Sequence, residues 1–303
     1  MALQKGKPIR QLLAFLLCLA LSLGTLAGCA DRDAILVGVT NQIHEQIIGW
    51  MIRELAARDG IECQIRETGP GIANVQPALE NNSLQIGIEF SQSAWRNVLQ
   101  KKKSYAAGDL AELQSAYKKR GLYWYSLPMV EDHYSLAISR TLAKRTGVKT
   151  LSDLAGIADS LTLGAATSFF QEAEGYPLLN SVYGISFQTT KNLANDGLVS
   201  GVLDGKVDVI PAHSLDGAIA GTEFVLLEDD LQMHDDTTAG IVITKDALME
   251  HPQLAEMAQE IARVLKGKQL AHYANAVVKG DCTAQEAALQ LLKVKELITE
   301  KQD

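Results

Sequence analysis

Ile35-Leu36-Val37-Gly38-Val39 is an apolar, β-type run, and it is followed by Gln46 to Arg58, where Ile47, Ile48, Met51, Ile52 and Leu55 recur at helical spacing. A strand therefore leads into an amphipathic helix. Working outward, Cys63 to Arg66 reads as a second strand, Asn74 to Asn81 as a helix and Leu84-Gln85-Ile86-Gly87-Ile88 as a third strand. Short β runs alternating with helices give an α/β domain whose sheet is mostly parallel.

The pattern then starts over. A helical stretch from Asp109 to Arg120 leads to Leu122–Ser126, after which Tyr134 to Ser139 opens a new strand. Ser152 or Asp153 can cap a short helix, Leu161 to Gly164 is a strand, Tyr176 to Tyr183 is helical and Val207 to Ile210 is a strand. Ile241-Val242-Ile243 resumes a strand. The tail from Pro252 to Glu300 is almost wholly helical, with Leu254, Met257, Ile261 and Leu265 on one face. That tail is too short for a third domain. The economical arrangement is two α/β lobes, 29–133 with 236–303 and 134–235, joined by two crossings that form a two-stranded hinge over a ligand cleft.

The N-terminus carries its own reading. Lys5, Lys7 and Arg10 precede an uncharged apolar run, Leu12 to Leu26, of about 15 residues. The run is shorter than the roughly 20 residues a membrane-spanning helix needs. Leu26-Ala27-Gly28-Cys29 resembles a bacterial lipobox, so residues 1–28 are expected to be a lipoprotein signal and Cys29 the lipid attachment site. Lipid would tether the protein outside the cytoplasm, at the cell membrane. The full 303-residue chain is 47% hydrophobic with net charge −8, and about 275 residues remain after the leader. That supports a sizeable core, and its scattered basic residues argue against nucleic acid as a partner. Cys63 and Cys282 remain after the leader, with pairing left open.

No catalytic constellation stands out. His44-Glu45 begins like H-E-x-x-H, but Ile48 occupies the second ligand position, and no nucleophile elbow, P-loop or dinucleotide fingerprint is present. His213, Ser214 and Asp216 are sequence neighbours, not a demonstrated relay. His234-Asp235-Asp236 is a compact run of metal-ligand types and reads best as a polar loop at a lobe crossing. No catalytic residue, metal or cofactor is expected.

The order of segments resembles the second, hinged type of periplasmic-binding-protein fold, in the branch of ABC-transporter proteins that binds glycine betaine, carnitine and choline. Asn41-Gln42-Ile43-His44-Glu45-Gln46 looks like that family's Lys-Asn-Phe-Thr-Glu-Gln, and Gly87 to Ser93 like its Tyr-Pro-Glu-Tyr-Thr-Gly-Thr segment. Asp132 to Ile138 looks like Asp-x-Tyr-Ala-Leu-Ala-Val, Thr150 to Leu154 like Thr-Ile-Ser-Asp-Leu and Glu174 to Pro177 like Asp-Gly-Tyr-Pro. Asp204 to Val209 and Ala212 to Gly217 look like Asn-Gly-Glu-Val-Asp-Val and Ala-Tyr-Ser-Thr-Asp-Gly.

The resemblance implies an aromatic cage, because a quaternary ammonium has no N–H to donate and is held by cation–π attraction. Tyr134 keeps a cage tyrosine, Phe90 replaces another, His213 stands where a third would be and Thr237 where a fourth would be. Ser93 keeps a threonine hydroxyl, and Trp95 is a further candidate ring. The family's carboxylate clamp departs: its lysine aligns with Asn41 and its arginine with Glu172, which reverses the local charge. Three readings stay open: a choline-like cation without a carboxylate, a different cationic or polar metabolite, or an alignment shifted near Asn41, Glu172 and Thr237. The implied partners are a small-molecule ligand and an ABC permease with a cytoplasmic ATPase; the protein is expected to be a monomer that touches the membrane only through its lipid. The alternative is a ligand-sensing receptor subunit on the same fold.

Overall fold

The computed structural model describes residues 34–69, 71–235 and 237–298. The leader at 1–28, Cys29 and Asp236 lie outside the described residues.

Two five-stranded mixed sheets organise these residues. In the first, β1 (Ile35–Val39) is flanked by parallel β2 (Cys63–Glu67) and β3 (Ile86–Phe90). The sheet continues through antiparallel β10 (Thr237–Thr244) to β4 (Leu122–Asp132) at its edge. The second sheet has the same plan: β6 (Thr162–Ala165) lies between parallel β7 (Thr189–Asn192) and β8 (Val209–His213), followed by antiparallel β5 (Tyr134–Ser139) and edge strand β9 (Phe224–Leu226). The chain thus leaves the first sheet after Asp132 and re-enters it at Thr237, and those two residues are register partners.

The apolar spacing explains the core. Helix α1 (Ile43–Arg58) lays Ile47, Ile48, Met51, Ile52 and Leu55, all fully buried, on one face of the first sheet. Three helices of the tail, Gln253–Val264, Gly267–Lys279 and Ala284–Val294, close the same core. The opposite face carries a separate cluster around Leu79, Trp95, Leu113, Tyr117 and Trp124. Leu215, from the loop after β8, is buried in the first lobe's core, and Gly217 sits so close to the Gly267–Lys279 helix that an added Cβ would lie 2.5 Å from the Ala274 carbonyl oxygen. A loop of the second lobe is thereby locked into the first.

Several expectations shift. Helix α1 begins three residues before Gln46, where the buried Glu45 carboxylate accepts bonds from the Thr40 amide (3.0 Å) and hydroxyl (2.7 Å) and secures the entry turn. The helix at Leu151–Ala155 is capped by Thr150 rather than Ser152 or Asp153, with Asp153 closing the capping box. Strand β7 escaped notice because Thr189-Thr190-Lys191-Asn192 is polar and wholly exposed, so no apolar alternation marks it. Cys63 and Cys282 are both free thiols, and burial pushes the Cys63 thiol up to about 12. No helix among the described residues is long and apolar enough to cross a membrane.

Candidate functional site

Where the chain crosses between lobes, a polar and aromatic group collects around Tyr134. The antiparallel register of β5 and β8 sets Tyr134 opposite His213, with ring centroids 4.5 Å apart. His234, at the return crossing, lies 5.0 Å from the tyrosine ring at 61°, and Phe169, from the Thr167–Gln171 helix, lies 6.4 Å away edge-on. Burial, reinforced by the negative charge of Glu172, raises the Tyr134 phenol well above its ordinary value. Tyr134 is therefore a neutral ring with a carboxylate in range.

Asp132 anchors this group from below. Its carboxylate accepts from His213 Nδ1 at 2.7 Å, from the Ser214 hydroxyl at 3.2 Å and from the Leu215 amide at 3.2 Å. Burial opposes its ionisation, but the bond and charge of His213 prevail, with help from His44 and the Leu215 amide, and hold the carboxyl below its usual range. For His213, burial acts to lower the pKa; the Asp132 bond and charge, with Asp216, outweigh it and raise the imidazole. Its side chain remains 54% exposed.

His44, at the start of α1, continues the buried stripe one turn before Ile47 and Ile48, and its ring packs edge-on against Phe90 at 5.8 Å. Burial drops it to about 4, opposed by Asp132 and by a bond to the Leu215 backbone and reinforced by His213, so it is neutral at physiological pH. His234 is also lowered, chiefly by burial.

Arg96 pairs with Glu174 of the second lobe and lies 3.7 Å from Asp235, whose carboxylate also accepts from Gln92 at 3.0 Å. Arg96 sits in a π-type turn, Ala94–Val98, a local irregularity that recurs at functional sites.

Of the residues singled out from sequence, Tyr134 and His213 are ring neighbours tilted by 35°, with Glu172 exposed nearby. Phe90 ends β3 half-buried against His44, and Ser93 is half-buried one turn further on. Thr237 is engaged structurally: its hydroxyl accepts from the Gln92 amide at 3.0 Å and lies 3.5 Å from the Ser91 hydroxyl. Asn41 is exposed in the turn before α1. Trp95 is corrected to a core residue: it is fully buried, donates to the Lys103 carbonyl at 3.0 Å and packs against Tyr105, because the turn after β3 directs it under the sheet.

Sequence reasoning gave no role at the site to His44, Asp132 or Arg96. A signal for His44 existed in its place on the apolar stripe of α1. Asp132 and Arg96 depend on contacts far apart in the chain. No cluster of His, Cys, Asp and Glu suited to hold a metal occurs among the described residues.

Residues 33–294 match the family described as the substrate binding domain of the ABC-type glycine betaine transport system. The chain belongs to that family. Among individual relatives of this substrate-binding family, an ergothioneine transport permease/ergothioneine binding protein of Helicobacter pylori is 26% identical over 85% of this chain, which spans 47% of that protein's length. The carnitine transport binding protein OpuCC of Listeria monocytogenes is 24% identical over 80% of this chain and 79% of its own. A solved structure of a glycine betaine/carnitine/choline ABC transporter component superposes with TM-score 0.78 at 22% identity, covering 86% of this chain and 98% of the other, a likeness of fold.

Proposed function

We propose that this chain is the extracytoplasmic ligand-binding subunit of an ABC importer and that it closes lobes 29–133 plus 236–303 and 134–235 on one quaternary amine. The observation that carries this reading is Tyr134, a neutral ring at the lobe crossing, edged by Phe169, His213 and His234, with the Glu172 charge beside it. Aromatic faces and a carboxylate attract a cation that cannot donate N–H bonds. Phe90 and His44 bring a second ring pair from the first lobe.

Purified protein spanning 30–303 should melt several degrees higher with at least one of choline, glycine betaine, carnitine or ergothioneine. A ligand at a hundred times its dissociation constant adds about 2.7 kcal/mol to folded-state stability. Tyr134→Ala should weaken that ligand more than tenfold, as loss of a desolvated cation–π contact of about 2 kcal/mol requires. A shift with another ligand class and none with these four would reject the amine reading while leaving the binding-protein reading.

The leader at 1–28 and lipid on Cys29 complete the proposal, with permease and ATPase as the membrane partners and a monomeric subunit. Cys29→Ala should release the protein from membranes, read by fractionation; retention would mean another anchor.

A further inference from the structure

The first sheet has two poles. β1, β3 and β4 end, and β10 begins, at the pole where Phe90, Asp132 and Thr237 lie. The opposite ends of these strands form a second pole, drawn together by backbone bonds: the Ile35 amide donates to the Glu62 carbonyl at 2.9 Å, the Thr244 amide to the Gln85 carbonyl at 2.9 Å and the Lys245 amide to the Gly121 carbonyl at 2.7 Å. β1 is five residues long, so the poles are about 16 Å apart along it. Ile35, where β1 begins, belongs to the second pole. Five residues, Ala30 to Ala34, separate it from Cys29. Whatever path that stretch takes, it spans roughly 20 Å at most.

We propose that this second pole is a membrane-facing surface: lipid on Cys29 holds it against an anionic bilayer, and the lobe crossing at the other pole points away from the lipid. This rests on the lipid-anchor reading above and is independent of the ligand's identity. The tether is the first argument. A bilayer lying at the crossing end would use about 16 Å of the roughly 20 Å available on β1 alone, before the loops at either pole are passed. Charge is the second argument. Lys119 and Lys245 stand exposed at the turns before β4 and after β10, and neither is engaged in an ion pair among the described residues. The acids of the same pole are largely occupied: Asp59 by Arg58, Glu80 by Arg120 and Asp246 by the Asn82 amide, leaving Glu62. Lysines near an anionic leaflet are attracted to it over about a Debye length, so this pole of a chain with net charge −8 can approach such a surface. Reaching a membrane partner with the crossing then takes a tipping motion about the tether.

The test measures energy transfer from a donor dye on the full-length lipidated protein to an acceptor carried on lipid, in vesicles of phosphatidylethanolamine and phosphatidylglycerol. Cys282 is replaced by Ser and the buried Cys63 is kept. The donor is placed at Ser83→Cys, exposed on the membrane pole, or at Leu203→Cys, 58% exposed at the end of the Leu198–Leu203 helix before β8 begins, on the far side of the second lobe. Transfer from position 83 should exceed that from position 203 about threefold, as the short tether requires. Inserting about twelve Gly and Ser residues between Cys29 and Ile35 should bring the two efficiencies together, because such a linker is a flexible coil. Lys119→Glu with Lys245→Glu should lower transfer from position 83 in these vesicles and not in vesicles of phosphatidylcholine. Equal transfer from the two positions in vesicle-bound protein, or a contrast that the insertion leaves unchanged, would overturn the membrane-facing pole; indifference to the lysine substitutions would overturn its preference for an anionic surface. Absence of lipid on Cys29 by mass spectrometry, or protein that stays off the vesicles, would overturn the lipid reading, and this proposal with it.

Discussion

Glu89→Gln should make the protein more stable than the natural sequence at pH 8 and above, and should flatten the decline of its melting temperature with pH. Glu89 is 2% exposed in β3, one residue before Phe90, on the face occupied by Tyr117 and Trp124. Tyr117 donates to its Oε2 at 2.5 Å, while Oε1 has no partner. Burial raises the carboxyl from 4.5 to about 8, against the Tyr117 bond and with the charges of Glu80 and Glu45 adding to the rise. A folded-state value above the unfolded one means that the stabilising contribution is complete below pH 4.5 and is lost as pH rises through about 8. The interval from 4.5 to about 8 is some 3.5 units; at about 1.36 kcal/mol per unit the ceiling is about 5 kcal/mol.

Glutamine copies the shape of the neutral acid. Its carbonyl accepts from Tyr117, and its amide leaves an unpaired donor where the acid's own proton would be, so the substitution changes little below pH 5. At about 2 to 4 °C per kcal/mol, the natural protein's midpoint should drop by some 10 °C relative to the variant between pH 5 and pH 9. Equal slopes for the two proteins in differential scanning calorimetry would show that Glu89 is already ionised when folded.

Most of the fold is legible wherever a segment's own chemistry decides its structure. The apolar runs of β1 and β3 and the stripe of α1 announce themselves because each is buried by its immediate surroundings. The Tyr176–Tyr183 helix matches its expected bounds, helped by Pro177 near its start and by Gly184 in the left-handed conformation at its end. Strand β9, three residues long, owes its existence to pairing with β5, and β7 to pairing with β6; neither dependence is local. The same limit governs the site. Short ordered motifs single out Tyr134 and His213 as candidates, but Asp132 touching His213, 81 residues away, and Arg96 reaching Glu174, 78 residues away, are consequences of lobe packing. Trp95 shows the converse error: an aromatic close in sequence to the cleft strand is turned into the core by the helical turn that follows it.

Asp132→Ala should cost roughly 3 kcal/mol, because truncation leaves the buried Leu215 amide and the Ser214 hydroxyl without their acceptor and removes the counter-charge of His213. The His213 share is kept small in this figure, since that ring is 54% exposed and water screens its charge. The midpoint of melting should therefore fall by about 6 to 12 °C near pH 6. Two signs fix the pH window. Asp132 is depressed below 3.8, so its contribution holds above that value and is lost as pH falls through the folded-state one. His213 is raised above 6.5, so its contribution holds below 6.5 and is lost as pH rises through the folded-state value. The gap between natural and variant proteins should accordingly be widest between about pH 4 and pH 6.5 and should narrow on either side. His44 supplies an internal control: Asp132 acts to raise it, so the variant's His44 resonance should titrate still lower than about 4. A variant with unchanged melting and an unshifted His44 would mean that Asp132 does not bear on the loop that carries Leu215 into the first lobe. The expected loss instead ties the hinge, the His213 orientation and the docking of that loop to one carboxylate.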